Sequence, residues 1–227
     1  MSMFEQIACL PLFQGVSTER ISRLVEKIPF HFIKVKSGET IVTAGTRCEH
    51  MRFLVSGSIR QVYRFADTKV TVACNLNAPD VIGAEFLFGR NNYYPFDVIA
   101  DNDAGLLLLT KRNYLAMINS DRIFLFNILN LLSGAAQRMS VVNNVTSVMS
   151  PTSKLKAFLS GVVPPGAVNI VVNYVMRDLC GLIGVSRQAL MTALETLATD
   201  RHLTYDSNSI KWHITECDTV PDGDLEN

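Results

Sequence analysis

The feature that most constrains this chain is a change of hydrophobic period. Short runs rich in β-branched and aromatic residues follow one another from Phe30 to Leu109: Phe30–Val35, Thr40–Val42, Arg52–Val55, Ile59–Tyr63, Val70–Ala73, Val98–Ala100 and Leu106–Leu109. Turn formers separate them, among them Ser37-Gly38, Ala44-Gly45, Ser56-Gly57, Asn77-Ala-Pro-Asp80 and Asp101-Asn-Asp103. Many short strands at such spacing predict an antiparallel sandwich or barrel. Residues 1–30 instead read as helical. Leu10, Leu12 and Phe13 precede Ser17-Thr-Glu-Arg20, a helix start ahead of Ile21, Leu24, Val25 and Ile28.

Past residue 110 the helical period returns. Leu125, Ile128, Leu132, Ala135, Met139, Val142, Thr146 and Met149 alternate steps of three and four, an a/d seam of about four heptads. Between Ile123 and Met149 the one charged residue is Arg138, so little of this helix suits water. It is either an ordinary core helix or one that packs on its own domain and on a second copy of the chain. The regular heptads favour the second reading, with Leu125, Ile128, Leu132, Ala135, Met139, Val142 and Met149 as the dimer interface. Ser150-Pro151-Thr-Ser153 ends the pattern, because proline disfavours helix in the residue before it. The expected divisions are 1–120, a β-domain with N-terminal helices; 121–150, the long helix; 151–216, a C-terminal domain; and 217–227, an acidic tail.

Composition narrows the function classes. With 48% hydrophobic and 19% charged residues the chain is an ordered globular one. Lys+Arg and Asp+Glu both number 21, so no overall basic excess advertises nucleic acid and any such function must come from a local surface. The tail from Cys217 holds four acids and no base, which leaves a net +4 on the rest. Five cysteines are scattered with no CxxC pair, against a structural zinc, an iron–sulfur cluster or a disulfide framework. Buried thiols in a reducing compartment are expected. Met1–Glu5 carries no basic segment ahead of an apolar one, and the uncharged run from Ile123 to Gln137 is shorter than the ~20 residues a bilayer needs. A cytoplasmic protein with no membrane partner is expected.

The segment from Met176 to Glu195 fits two helices crossing through a tight turn. Small Cys180 and Gly181 suit the crossing, Gly184 the turn, and Leu179, Ile183, Val185, Leu190 and Ala193 or Leu194 the inward face. Ser186 can cap the second helix. Leu203/Tyr205 and Ile210/Trp212/Ile214 then alternate around Asp206-Ser-Asn-Ser209, a hairpin wing beside a helix-turn-helix. The second helix would present Ser186, Arg187, Gln188, Met191 and Thr192 early and outward. Arginine can bond guanine bidentately and glutamine adenine, both in the major groove, and Lys211 of the wing suits a phosphate contact.

A β-roll, a long helix and a winged helix in that order resemble the cyclic-AMP receptor/fumarate-nitrate regulator (CRP/FNR) superfamily over nearly the whole chain. The resemblance rests on Lys36-Ser-Gly-Glu39, Gly45, Phe53-Leu-Val-Ser-Gly-Ser-Ile59, Asp80-Val-Ile-Gly83 and Leu182-Ile-Gly-Val-Ser-Arg-Gln188. It implies an α+β fold: an N-terminal double-stranded β-helix (a cyclic-nucleotide-binding-like β-roll), a long dimerisation helix and a C-terminal winged helix-turn-helix. It also implies a homodimeric transcription regulator, not an enzyme. Its β-roll would sense a small-molecule effector, while the recognition helix reads an inverted-repeat operator in double-stranded DNA, with RNA polymerase as a further partner. Arg187 matches the family's guanine-reading arginine. Gln188 stands where a glutamate is common, and Thr192 where cyclic-AMP-responsive members place a second arginine.

The implied effector pocket comprises Gly83, Ala84, Glu85, Tyr94, Pro95, Val142 and Asn143. Cyclic-nucleotide members follow Gly-Glu with an Arg-Ser or Arg-Thr pair for the phosphate. Here Gly83-Ala-Glu85 is followed by Tyr93-Tyr-Pro-Phe96, with no cation to make charge-assisted bonds. The purine-contacting pair maps near Val142-Asn143. Cyclic AMP is therefore not the expected effector, and neither effector nor cofactor is named. Cys9 stands alone where iron–sulfur members carry a cluster, and Cys48-Glu-His50, His31 and Cys74 are too sparse for a metal or haem. Tyr93, Tyr94 and Phe96 either line a pocket for an apolar or planar ligand or pack on one another. Two other functions stay open: a metabolite-sensing module docking on a protein partner, in keeping with a net +1 over 151–216, and a cupin-like metal enzyme, for which no His-x-His exists.

Overall fold

The computed structural model describes residues 3–143, 149–199 and 203–214, with side chains from Phe4 onward except for those of 138–143. The helices are α1 (Met3–Ala8), α2 (Thr18–Lys27), α3 (Lys111–Ser120), α4 (Arg122–Asn143), α5 (Pro151–Val162), α6 (Met176–Ile183) and α7 (Arg187–Thr199). The strands are β1 (His31–Val35), β2 (Thr40–Val42), β3 (His50–Ser56), β4 (Ser58–Arg64), β5 (Thr71–Asn77), β6 (Asp80–Ile82), β7 (Phe96–Ala100), β8 (Ala104–Thr110), β9 (Ala167–Asn173), β10 (Leu203–Tyr205) and β11 (Ser209–His213). The chain divides into two compact units. One comprises Met1–Val62 and Leu76–Ala135, the other Tyr63–Asn75 and Ala136–Asn227.

The first unit is an antiparallel β-roll. One sheet runs β1-β8-β3-β6, and the other contributes the order β4-β7-β2. Register is fixed by β3, whose Phe53 lies opposite Leu107 of β8 and Val81 of β6. The 3₁₀ turn Pro11–Phe13 closes one end. Phe13 sets its ring edge against Phe53 at 5.9 Å and Phe124 at 5.4 Å. Asn127 on α4 donates its amide to the carbonyls of Leu12 and Gln14, both at 3.0 Å.

In the second unit α5, α6 and α7 cover a sheet ordered β10-β11-β9-β5. β5 and the hairpin tip before it come from far earlier in the sequence. Val70, Val72 and Cys74 are fully buried among Leu155, Leu179, Leu190, Ile210 and Trp212. Each such valine contributes roughly 1.5–3 kcal/mol by burial. At the tip, the Lys69 amide donates to the Asp178 carboxylate at 2.9 Å, and the Cys74 thiol donates to the Val162 carbonyl at 3.3 Å.

Asp121 separates α3 from α4: it takes extended backbone (φ −154°, ψ 136°) and its carboxylate accepts from the Ile123 amide at 3.2 Å. Asp80, read as the end of a turn, begins β6 opposite Leu54. Residues 63–75 have their apolar side chains buried in the second unit.

Candidate nucleic-acid interface and effector region

The segment that links α6 to α7 is built as its residues dictate. Gly184 sits in the left-handed region (φ +70°, ψ +47°). Its amide and that of Val185 both donate to the Cys180 carbonyl, at 2.9 and 3.1 Å. The Ser186 hydroxyl accepts from the Ala189 amide at 3.2 Å and caps α7. Lys154 donates to the Gly184 carbonyl at 3.4 Å, placing a cation at the end of α6. Leu179, Ile183, Leu190, Ala193, Leu194 and Leu197 are buried, and Val185 is half-buried.

On the outer face of α7, Arg187, Gln188 and Thr192 are exposed, as is Ser186 before them. Among the described residues no carboxylate pairs with Arg187, the one cation on α7. Met191, expected to face outward, is half-buried against the unit's core instead, because its flexible side chain folds back over apolar neighbours. Gly181, expected at the helix crossing, is exposed with open space beside it. In the hairpin Lys211 is exposed between buried Ile210 and Trp212. The Asp206 carboxylate accepts from the amides of Asn208 (2.9 Å) and Ser209 (2.7 Å) and from the Ser209 hydroxyl (2.7 Å), which pins the turn. These bonds, led by the Asn208 amide, hold its carboxyl below the usual carboxylate range.

The long helix presents an exposed apolar face that shares Leu125 with the heptad seam and adds Phe126 and Leu129 beside it. Leu125, Phe126 and Leu129 are 43, 59 and 48% exposed. Ile128 is buried in its own unit, because Asn127 and Phe124 turn that face onto the N-terminal segment. Leu132, Ala135 and Met149 are half-buried. The side chains of Met139 and Val142 lie outside those described, as does that of Asn143.

In the β-roll the 3₁₀ turn Ala84–Phe86 follows Gly83, whose φ of +59° and ψ of +40° are left-handed. A Cβ on Gly83 would stand 2.7 Å from Cε1 of Tyr94, so the tyrosine ring rests directly on that backbone. Phe86, Tyr94 and Phe96 pack on one another at centroid distances of 5.7–6.2 Å, which decides for self-packing; Tyr93 is exposed. Gly83 and Ala84 are buried, while Glu85 and Pro95 are exposed. The Tyr94 hydroxyl accepts from Arg52 Nη1 at 2.7 Å and from the Cys48 thiol at 2.9 Å. Burial pushes both the Tyr94 phenol and the Cys48 thiol up, so neither ionises near neutral pH.

Arg52 is the residue that sequence reasoning missed. The cation expected about ten residues after Gly83 is absent from Tyr93-Tyr-Pro-Phe96, whereas this one arrives from β3. Its signal in sequence is a charge inside the apolar run His50-Met-Arg-Phe-Leu-Val55. Among the described residues no group of three or more His, Cys, Asp or Glu side chains is arranged to hold a metal. No single described helix is long and apolar enough to cross a membrane.

Residues 32–121 match the family of cyclic nucleotide-binding domains, so this stretch is such a domain, a β-roll with helices in an α+β chain. A search of curated proteins returns no match. Among solved structures the chain is similar to the catabolite activator protein of Thermus thermophilus, at 19% identity over 89% of this chain and 93% of that one, TM-score 0.47. It is also similar to CLP, a c-di-GMP-responsive global regulator of Xanthomonas campestris, at 15% identity over 88% of this chain and 100% of the other, TM-score 0.48. A third likeness is to the sensor domain of the transcriptional regulator DNR from Pseudomonas aeruginosa, at 12% identity, 64% and 94% coverage, TM-score 0.49.

Proposed function

We propose that the chain is a CRP/FNR-type transcription regulator: a homodimer that binds an inverted-repeat operator through a winged helix-turn-helix, and whose β-roll senses an effector other than cyclic AMP. The observation that carries this reading is α7. It is capped by Ser186, buried on one face, and offers Arg187, Gln188 and Thr192 to solvent with Arg187 free of carboxylate partners among the described residues. An unpaired arginine on the first turn of such a helix suits a guanine edge. Tyr94 speaks against cyclic AMP, since its ring rests on the Gly83 backbone and fills the place where the cyclic phosphate would lie. The exposed Leu125, Phe126 and Leu129 are the surface on which a second copy would pair.

The test is selection from random DNA by the parent and by Arg187→Ala. Loss of a bidentate contact costs about 1–3 kcal/mol per half-site and relaxes base preference at one symmetric pair of positions. Identical motifs and affinities would remove Arg187 as a base reader. Failure of the parent to select any motif would turn the reading towards protein docking. Leu129→Asp, at an exposed site in the single chain, is expected to leave a folded monomer in sedimentation.

A further inference from the structure

Two cations in the first unit stand half-buried with no carboxylate in ion-pair contact among the described residues. Arg52 spends Nη1 on the Tyr94 hydroxyl at 2.7 Å and the His50 carbonyl at 3.3 Å, and its guanidinium lies 5.4 Å from the Tyr94 ring centroid. Its Nε and second Nη make no hydrogen bond, and no carboxylate pairs with it, among the described residues. Lys111 opens α3 with its ammonium 4.6 Å from the centroid of Phe88, again with no carboxylate among those residues.

The register brings the two cations to the same end of the sheet. His50 lies opposite Thr110, the Lys111 amide donates to the Glu49 carbonyl at 3.3 Å, and Arg52 reaches back along β3 to His50. Burial raises the Cys48 thiol; both positive charges act against that effect, and the carboxylate of Glu85, at the exposed edge, acts with it. Beside them Tyr114, one turn into α3, is fully buried, with its ring 6.1 Å from that of Phe88 and its hydroxyl unpartnered among the described residues. Partly desolvated charges and a buried hydroxyl without a partner are unfavourable unless something completes them.

We propose that Arg52 and Lys111 form a site for the oxyanion of a small ligand, a carboxylate or phosphate group on a flat apolar body that lies against Phe88. Arginine's free fork suits two oxygens of such a group, and the lysine supplies a second charge. The position differs from that of the phosphate-binding pair expected after Gly83, which Tyr94 and Pro95 replace. The inference deepens the effector-sensing reading and rests on it only for the ligand's regulatory role, because the binding test below uses no DNA.

The test is calorimetry of the full chain at low salt with phenyl phosphate, benzoate and inorganic phosphate. Saturable binding is expected for phenyl phosphate or benzoate, at least tenfold tighter than for inorganic phosphate, which lacks the apolar body. Lys111→Gln is expected to weaken it at least tenfold, and Arg52→Gln likewise, with Arg52→Lys recovering part of the loss. Circular dichroism reports whether each variant folds. If Arg52→Gln does not, Lys111→Gln decides. Absence of saturable binding of all three probes up to millimolar concentration overturns the site, as does binding that folded Lys111→Gln leaves unchanged. Ligand binding without operator binding would defeat the DNA reading alone.

Discussion

Gly83→Ala probes the packing that defines this β-roll. Two effects add. At φ +59° and ψ +40° a side chain is left-handed, which costs roughly 1–2 kcal/mol. The new methyl also meets Tyr94 at 2.7 and 3.2 Å and Phe86 at 3.3 Å. Tyr94 has little room to give: its amide donates to Thr46, its carbonyl accepts from Gly45, and its hydroxyl is held by Arg52 and Cys48. Overpacking against so fixed a ring adds about 1–3 kcal/mol. The sum is a loss of about 2–5 kcal/mol. Gly45→Ala is the reference, because its φ of +81° carries the strain while nothing lies within 4 Å of the added methyl. Urea unfolding followed by circular dichroism measures both, with Tyr94→Leu and Gly83→Ala/Tyr94→Leu completing a cycle. A coupling of about 1–3 kcal/mol between positions 83 and 94 is expected. The reasoning fails if Gly83→Ala costs no more than Gly45→Ala, or if the coupling is zero.

Asp80 gives a pH dependence. Burial, with a smaller contribution from Glu85, raises its carboxyl from 3.8 to about 7, and Oδ2 has no partner among the described residues. The folded state therefore holds a proton that the unfolded chain releases near pH 4. This contribution to stability is complete below pH 4 and is lost as pH rises through about 7, up to about 4 kcal/mol in all. Asp80→Asn should gain on the parent between pH 5 and pH 8 in urea melts; parallel curves would show that Asp80 does not titrate there. Val72→Ala, in the β-rich run Val70–Ala73, should destabilise the second unit by about 2–3 kcal/mol. Trp212, the one tryptophan and a member of the same core, reports it by fluorescence; an unchanged Trp212 transition would place the hairpin elsewhere.

What could be read in the sequence is what neighbours along the chain decide. Gly184, Ser186 and the spacing of Leu179, Ile183, Leu190 and Leu194 locate α6, its turn and α7, because caps and helical periods are set within a few residues. The strands were legible for the same reason, each ending at a turn former. What stayed hidden depends on partners distant in sequence. Ile128 and Leu129 are equally apolar neighbours on one helix, and only Asn127 bonded to residues 12 and 14 decides which of them faces inward. Met191 looks outward on a helical wheel but finds apolar cover. Val70, Val72 and Cys74 alternate as any roll strand would, and nothing local says that their inward face completes a core built from residues a hundred positions later. Arg52 shows the same limit at the candidate site. A charge in an alternating strand marks a position that needs a partner, yet the partner, Tyr94, lies 42 residues on, in a loop whose own sequence carries no cation. Departures from a family's motif are therefore best tested in space: the charge absent from one loop can enter from the strand beneath it, and the chemistry it serves then changes with its direction of approach.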